Sequence, residues 1–137
     1  MGRILAIDYG TKRTGLAVTD PLKIISTALD TVETSVLVDF LKKYFIKEPV
    51  DEVVIGMPKQ LNNQDSDTAP AVRAFVEVFK KNFPDTPIHL TDERFTSALA
   101  KRAMIDGGMS KKQRQVKSNV DKISATIILQ AFMESRN

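Results

Sequence analysis

The sequence contains no cysteine and a single histidine, His89. Without cysteine the chain forms no disulfide, has no thiol nucleophile and offers no thiolate to a metal ion. A single histidine excludes the zinc sites that need several histidines. No apolar run approaches the roughly 20 residues of a membrane-spanning helix. The first residues lack the pattern of a secretory signal, so we expect a cytoplasmic protein with no membrane partner.

The composition is that of a globular protein. Hydrophobic residues make up 42% and charged residues 27% of the 137 residues, and both values are ordinary for this class. A chain of this length buries roughly two thirds of its unfolded surface around one core. Because no internal repeat, low-complexity tract or linker is visible, we expect a single domain over residues 1–137.

Positive charge is concentrated between residues 94 and 119. This segment has seven basic residues and one acidic residue, a net charge of +6, whereas the whole chain has +3. A basic segment in an otherwise acidic chain predicts an anionic partner, of which nucleic acid is the obvious candidate. A solvated helix face followed by a loop explains the same charges, and charge alone favours neither interpretation.

The spacing of apolar residues predicts the element order βββαβαβαα. Strands are predicted at residues 4–7, 13–19, 23–32, 53–55 and 88–91. Helices are predicted at residues 37–45, 70–83, 96–107 and 120–133, with Thr34 or Ser35 as the N-cap of the first. The closely spaced first strands favour an antiparallel meander, and the later strands alternate with helices. The fold class is therefore α/β, a five-stranded mixed sheet with helices on both faces, which is the order of the ribonuclease H-like fold.

Acidic residues fall at the predicted ends of three elements. Asp8 closes the first strand, and Asp121 lies in the first turn of the last helix. Asp92 and Glu93 close the fifth strand. Ligands bind beyond the carboxyl ends of strands in such sheets, so we expect these carboxylates to converge there. Close carboxylates repel one another, and a divalent cation relieves the repulsion.

Oxygen-only ligands favour Mg²⁺ or Mn²⁺ over zinc. Such ions activate water for phosphodiester hydrolysis without a histidine or serine base. Each acid also has a structural interpretation. Asp8-Tyr9-Gly10 fits a plain turn, and the helix dipole stabilises Asp121 by roughly 0.3–1 kcal/mol without a metal. The joint placement of the acids is what favours a site.

The segment from Asp8 to Gly15 combines glycines and hydroxyls with two cations, Lys12 and Arg13. Backbone N–H groups in a tight strand-to-strand turn of this kind can approach a phosphate. A plain hairpin needs the glycine but has no evident use for the two cations. The segment therefore indicates a phosphate contact beside Asp8.

Four stretches, taken together, carry a family resemblance. They are Asp8-Tyr9-Gly10-Thr11-Lys12-Arg13-Thr14-Gly15, Val54-Ile55-Gly56-Met57-Pro58, Asp92-Glu93-Arg94-Phe95-Thr96-Ser97, and the run from Lys117 through Asp121 to Leu129. In order and spacing they resemble the YqgF family of pre-16S rRNA nucleases, also described as Holliday-junction-resolvase-like proteins. The resemblance spans almost the whole chain. It implies a ribonuclease H-like fold related to the RuvC resolvases, metal-dependent phosphodiester hydrolysis, and trimming of the ribosomal RNA precursor.

By position, the resemblance makes Asp8, Glu93 and Asp121 the catalytic carboxylates and the ligands of Mg²⁺ or Mn²⁺. Asp92 is the weaker candidate, because neighbouring residues of a strand point to opposite faces. In one respect the sequence departs from the RuvC pattern. Those resolvases are expected to place an acidic ligand on the fourth strand, which here ends in Gly56-Met57-Pro58. This departure counts against full resolvase activity.

Basic residues are predicted to bind the nucleic-acid backbone. They are Lys12, Arg13, Lys59 and Arg94, together with Lys111, Lys112, Arg114 and Lys117 of a basic loop. The planar fork of Arg94 suits a phosphate, and a salt bridge to Asp92 or Glu93 is an equally favoured alternative. Contacts of this kind give affinity and salt dependence but little sequence selectivity. Tyr9 is expected to pack in the core in preference to stacking on bases.

Three functions follow from these observations. The favoured one is a metal-dependent nuclease that acts on structured RNA, above all the ribosomal RNA precursor, or on branched DNA. The second is a non-catalytic RNA-binding or ribosome-assembly module in which the acids are structural. The third is an ATPase of the actin/Hsp70 type, for whose second phosphate loop and adenosine site we expect no room. The apolar last helix fits a monomer and a homodimer equally well.

Overall fold

A computed structural model of the protein describes residues 2–57, 69–92 and 117–135, without the side chains of residues 92, 117–122 and 135. Five strands form one sheet: β1 (Arg3–Asp8), β2 (Arg13–Thr19), β3 (Ser26–Glu33), β4 (Val50–Met57) and β5 (Ile88–Asp92). The helices are a 3-10 turn (Thr34–Val36), α1 (Leu37–Lys47), α2 (Ala69–Asn82) and α3 (Lys117–Ser135). The helix predicted at residues 96–107 lies outside the described residues.

The sheet is mixed, as the sequence predicts, with the strand order β3-β2-β1-β4-β5. β2 pairs antiparallel with both β1 and β3, which gives the expected meander. β4 pairs parallel with both β1 and β5. Strands β1, β4 and β5 therefore end at the same side of the sheet, which we call the carboxyl edge.

Alternating side chains of β1 divide the core into two clusters. Leu5 and Ile7 pack with buried residues of α1 and α2. Ile4 and Ala6 pack on the other side with four residues of α3, namely Ala125, Ile128, Leu129 and Phe132. Helices thus cover both faces, which we call the α1/α2 face and the α3 face. Because strand residues alternate, the even-numbered positions of β1 belong to the α3 face.

Helix α2 forms where the apolar residues recur at helical spacing. Val72, Phe75, Val76 and Phe79 are all buried. Full burial of each such side chain stabilises the fold by about 1.5–3 kcal/mol. Pro70 is the second helical residue, where its missing N–H costs no intrahelical bond. The α1/α2 face is therefore closed by a stripe that the sequence predicts.

The amino end of α1 differs from the prediction. Thr34 and Ser35 do not cap the helix, since both belong to the 3-10 turn, and Val36 precedes α1 with no side-chain cap. The hydroxyl of Thr34 instead donates a hydrogen bond to the carbonyl oxygen of Gly10, at 2.6 Å. The Thr34 hydroxyl thus makes a tertiary contact and does not cap α1.

Other boundaries also differ; β4, for example, spans Val50–Met57 and not only residues 53–55. β3 begins at Ser26, not at residue 23, because the carboxylate of Asp20 accepts hydrogen bonds from the amides of Ile24 and Ile25, both at 2.8 Å. These bonds hold the chain in a loop and lower the pKa of Asp20, with the Ile25 bond contributing most. α3 begins at Lys117, so Asp121 is its fifth residue and lies beyond the first turn.

No helix in the described part of the chain is long and apolar enough to cross a membrane.

Candidate active site

Asp8 is the last residue of β1, the central strand of the sheet. The four apolar residues before it are buried, so the strand passes through the core and delivers Asp8 to the carboxyl edge. Its even-numbered position places Asp8 on the α3 face, with Ile4 and Ala6. The side chain is half-buried. Asp8 thus lies where ligands bind in sheets of this kind.

Glycines border Asp8 on both neighbouring strands. Gly15 of β2 lies directly opposite Asp8. On the other side Ile7 pairs with Ile55 of β4, so Gly56 is the next position along the parallel ladder. Neither strand therefore projects a side chain beside Asp8 at these positions.

Thr91 of β5 continues this line of residues, because it pairs with Gly56. It shares the α3 face with His89, whose ring contacts Phe132 of α3 with a centroid separation of 5.1 Å. The Oγ1 atom of Thr91 is buried and has no hydrogen-bond partner in the described part of the chain. An unsatisfied buried hydroxyl costs about 1–3 kcal/mol. We call Gly15, Asp8, Gly56 and Thr91 the site row.

The oxygen atoms of the site row are of the type that a hard divalent cation binds. Asp8 supplies a carboxylate and Thr91 a hydroxyl, both of which suit Mg²⁺ or Mn²⁺. His89, a nitrogen donor that would favour other metals, has its Nε2 atom 3.0 Å from Oε1 of Glu52. Among the described side chains no group of three potential metal ligands is found. Of the three predicted metal ligands, Asp8 is the one whose side chain the structure describes.

Two of the predicted cations lie shortly after Asp8 in the chain. Lys12 is exposed on the turn between β1 and β2, and Arg13 is exposed at the start of β2. Because Arg13 is two residues from Gly15, it belongs to the α3 face, as Asp8 does. Positive charge at this place favours an anionic group close to the carboxyl edge.

The turn is tied to the start of the 3-10 turn by Thr34. The main-chain N–H of Thr34 donates to the carbonyl oxygen of Lys12 at 2.9 Å, while its hydroxyl donates to Gly10. A Cβ atom on Gly10 would collide with the carbonyl oxygen of Arg13. The compact shape of the turn therefore requires glycine at this position.

Tyr9 packs as the sequence predicts. Its ring stacks on that of Phe75 in α2, with centroids 5.0 Å apart, and it lies against the core of the α1/α2 face. Tyr9 and Asp8 thus point to opposite faces. The aromatic contact fixes the chain immediately after Asp8.

Acidic residues at the opposite edge of the sheet have structural partners. Oδ2 of Asp51 lies 2.9 Å from Nζ of Lys23 and accepts the amide N–H of Gly2 at 3.0 Å. These two contacts, the Lys23 bond first, lower the pKa of the Asp51 carboxyl. Glu48 pairs with Arg3 at 3.4 Å. These acids stabilise the amino ends of β1 and β4.

The other predicted site residues are not tested by the described structure. Glu93 and five basic residues lie outside the described residues: Lys59, Arg94, Lys111, Lys112 and Arg114. Lys117 and Asp121 are helical residues of α3, but their side chains are outside the description. The roles of these residues stay predictions. Sequence reasoning, for its part, missed Thr34 and Thr91, since neither belongs to a recognisable motif.

Comparison with known proteins identifies the family. The model of the family described as "RuvX: Holliday junction resolvase" matches residues 2–135. The chain belongs to the RuvX family. The resemblance inferred from the four sequence stretches is thereby confirmed.

Similar RuvX proteins are named for a nuclease activity. One from Phocaeicola vulgatus, named "Putative pre-16S rRNA nuclease", is 57% identical over 136 residues, which cover 99% of this chain and 98% of that protein. One from Flavobacterium johnsoniae has the same name and is 54% identical over 136 residues, with 99% of both chains covered. The predicted nuclease class is thus confirmed at the level of the family.

Solved structures confirm the ribonuclease H-like fold. RuvC of T. thermophilus in complex with a Holliday junction substrate aligns with a TM-score of 0.57 and 16% identity, over 100% of this chain and 97% of that chain. Another structure of Thermus thermophilus RuvC gives a TM-score of 0.54 and 13% identity, over 98% and 96%. The RuvX chain therefore shares its fold with RuvC.

Proposed function

We propose that this RuvX protein is a divalent-metal-dependent nuclease that hydrolyses phosphodiester bonds in the ribosomal RNA precursor. The position of Asp8 carries the proposal: it ends the central strand at the carboxyl edge, between Gly15 and Gly56. The names of the relatives support pre-16S rRNA as the substrate. We place the activity in the cytoplasm and in one domain, residues 1–137, with the ribosome precursor as partner.

We assign the other two metal ligands to Glu93 and Asp121. Odd-numbered positions of β5 belong to the α3 face, as the contact of His89 with α3 indicates. The parity of the strand therefore favours Glu93 over Asp92 as the partner of Asp8. Position 121 of α3 precedes buried Ala125 by about one turn, on the helix face that packs on the sheet. Both assignments agree with an acidic site on the α3 face.

A bound Mg²⁺ or Mn²⁺ supplies an activated water and neutralises charge on the phosphodiester. Asp8, Glu93 and Asp121 would hold it, while Lys12 and Arg13 bind the neighbouring phosphates. The remaining predicted cations extend this contact along the nucleic acid: Lys59, Arg94, Lys111, Lys112, Arg114 and Lys117. Such contacts make the affinity for RNA fall steeply with salt.

The description of the family favours a second candidate, the resolution of Holliday junctions in branched DNA. The sequence of β4 speaks against it. The acidic residues of β4, Asp51 and Glu52, are near the start of the strand, whereas its last described residues are Gly56 and Met57. Because β4 brings no carboxylate to the carboxyl edge within the described residues, we favour RNA.

The test is cleavage by the purified full chain. A fragment of the pre-16S rRNA that includes a precursor–mature boundary is incubated with Mg²⁺ or Mn²⁺, in parallel with a synthetic four-way DNA junction. We expect the RNA to be cut and EDTA to abolish the cut. Asp8→Asn should lower the rate roughly 100-fold or more, because the ion contributes several kcal/mol to catalysis. Asp85→Asn, the same change at an exposed turn residue, should cut at the wild-type rate.

The other outcomes are distinct. Cleavage that survives EDTA or Asp8→Asn contradicts the proposal. Cleavage of the DNA junction alone would replace RNA by branched DNA as the substrate. Metal-independent RNA binding without cleavage, undiminished in an Asp8→Asn/Asp121→Asn double variant, would identify a non-catalytic RNA-binding module instead.

A further inference from the structure

Thr34 holds the turn between β1 and β2 through two hydrogen bonds. Thr34 is half-buried and directly follows β3. Its main-chain N–H donates to the carbonyl oxygen of Lys12 at 2.9 Å. Its hydroxyl donates to the carbonyl oxygen of Gly10 at 2.6 Å. Thr34 therefore contacts the turn at two positions, on either side of Thr11.

The direction of these hydrogen bonds follows from the chemistry of a hydroxyl, which has one donor and two acceptor sites. Since Thr34 uses its only donor on Gly10, the 2.9 Å contact between the Oγ1 atoms of Thr34 and Thr14 must be donated by Thr14. Thr14 is fully buried in β2. The buried Thr14 hydroxyl thus orients the hydroxyl of Thr34, and the Thr34 hydroxyl positions the β1–β2 turn.

The main-chain amides of Thr11 and Lys12 lie at the tip of this turn. Within the described part of the chain, neither amide donates a hydrogen bond to a main-chain carbonyl oxygen. Both residues are exposed. Successive amides in a turn of this kind are suited to an anion, and the Lys12 ammonium adds positive charge next to them. The position of these groups relative to Asp8 depends on the contacts that Thr34 makes.

We propose that Thr34 is a positioning residue of the nucleic-acid site, which sets the β1–β2 turn so that Lys12 and the amides of Thr11 and Lys12 contact the substrate phosphate beside Asp8. Thr34 acts through the turn and does not itself touch the substrate. The inference rests on the proposed function, because it places a phosphodiester at Asp8.

The test compares three variants. Thr34→Val removes the hydroxyl at nearly constant shape, and Thr34→Ser keeps it. Thr27→Val is the matched control, since Thr27 is an exposed residue of β3, the strand that precedes Thr34, and it pairs with Val18 at the other end of β2. The binding of a single-stranded segment of pre-16S rRNA is measured by fluorescence anisotropy in EDTA at several KCl concentrations. KM and kcat for cleavage are measured separately with Mg²⁺, and folding is monitored by thermal melting.

We expect Thr34→Val to weaken RNA binding several-fold. The slope of log affinity against log salt should fall by about 0.7 for each phosphate contact that is lost. KM should rise more than kcat falls, because the chemistry at Asp8 is intact. Thr34→Ser should restore both the slope and KM, and Thr27→Val should match the wild type.

A double variant separates a positioning role from a merely structural one. If Thr34 acts through Lys12, the Lys12→Ala/Thr34→Val protein should lose less affinity than the product of the two single losses. If the loss of affinity in the double variant equals the product of the two single losses, the inference is overturned. A Thr34→Val protein that melts earlier but keeps the wild-type salt slope and KM also overturns it. A wild type that binds no RNA refutes the proposed function, and with it this inference; a normal wild type with an unaltered Thr34→Val refutes the inference alone.

Discussion

Asp8 lies directly opposite Gly15 in the antiparallel ladder of β1 and β2, so the acid that ends the central strand faces no side chain across that ladder. Gly56 of β4, on the other side of Asp8, likewise has no side chain. The strand is held by its buried apolar run, which fixes the position of the main chain of Asp8. The carboxylate of Asp8 therefore lies at the carboxyl edge between two glycines.

Thr91 offers a test in which stability and activity move in opposite directions. Thr91→Val removes the buried hydroxyl that has no partner among the described residues, so the free energy of unfolding of the metal-free protein should rise by up to about 1–3 kcal/mol. If the hydroxyl bonds a ligand or a water in the site, the cleavage rate should fall. Denaturant unfolding and RNA cleavage measure the two effects. Thr91→Ser, which keeps the hydroxyl, should cleave normally; equal cleavage by all three proteins would contradict a role for Thr91.

Gly10 is expected to tolerate no side chain. In Gly10→Ala the new methyl group collides with the carbonyl oxygen of Arg13, and the turn must open. We expect a loss of about 1–3 kcal/mol in the free energy of unfolding and weaker RNA binding, because Lys12 moves away from Asp8. Chemical denaturation and anisotropy measure these changes. Full stability with full RNA affinity would show that the turn is not held as described.

Asp51 gives a prediction about pH. Its pKa lies below the ordinary value of 3.8, because Lys23 and the Gly2 amide bind the carboxylate. The stabilisation is therefore present above the ordinary value and is lost as the pH falls through the lowered value. Asp51→Asn should be less stable than the wild type at neutral pH by at most about 1 kcal/mol, because the pair is solvent-exposed.

The difference between the two proteins should shrink as the pH falls below 3.8, and it should also shrink in high salt. Thermal melting across this range measures it. Asp85→Asn, an exposed turn residue, is the control. A difference that grows toward low pH would contradict the account of Asp51.

His89 is predicted to take no part in catalysis. Its Nε2 atom contacts Glu52 at 3.0 Å and its ring packs on Phe132, so it is occupied within the fold. His89→Gln should therefore cut RNA at the wild-type rate and keep the same dependence of rate on pH. A large loss of rate at unchanged stability would instead make His89 a general base.

The sequence predicts the central part of the fold because each signal there is local. Ile4 to Ile7 form one apolar run, and the buried residues of α2 recur at helical spacing, so β1 and α2 follow from periodicity. The bounds of β2, residues 13 and 19, agree with the prediction. Asp8 is placed correctly at a strand end for the same reason.

The differences arise where a side chain makes a contact, local or distant, that the sequence pattern does not identify. Thr34 looks like a helix cap, but its hydroxyl bonds Gly10, 24 positions earlier. Asp20 looks like part of a simple turn, but its carboxylate accepts hydrogen bonds from the amides of Ile24 and Ile25, so β3 begins later in the chain. The unsatisfied hydroxyl of Thr91 is invisible in the sequence, because it depends on burial by other elements.

The most direct test of the central claim is the position at which a divalent ion binds. Mn²⁺ is titrated into isotopically labelled protein, and paramagnetic broadening of the amide resonances is followed by NMR. The account predicts specific broadening at the site row (Gly15, Asp8, Gly56 and Thr91) that Asp8→Asn abolishes and Asp85→Asn leaves unchanged. Broadening centred on Asp51 and Glu48 at the opposite edge, or broadening at the site row that survives Asp8→Asn, would contradict it.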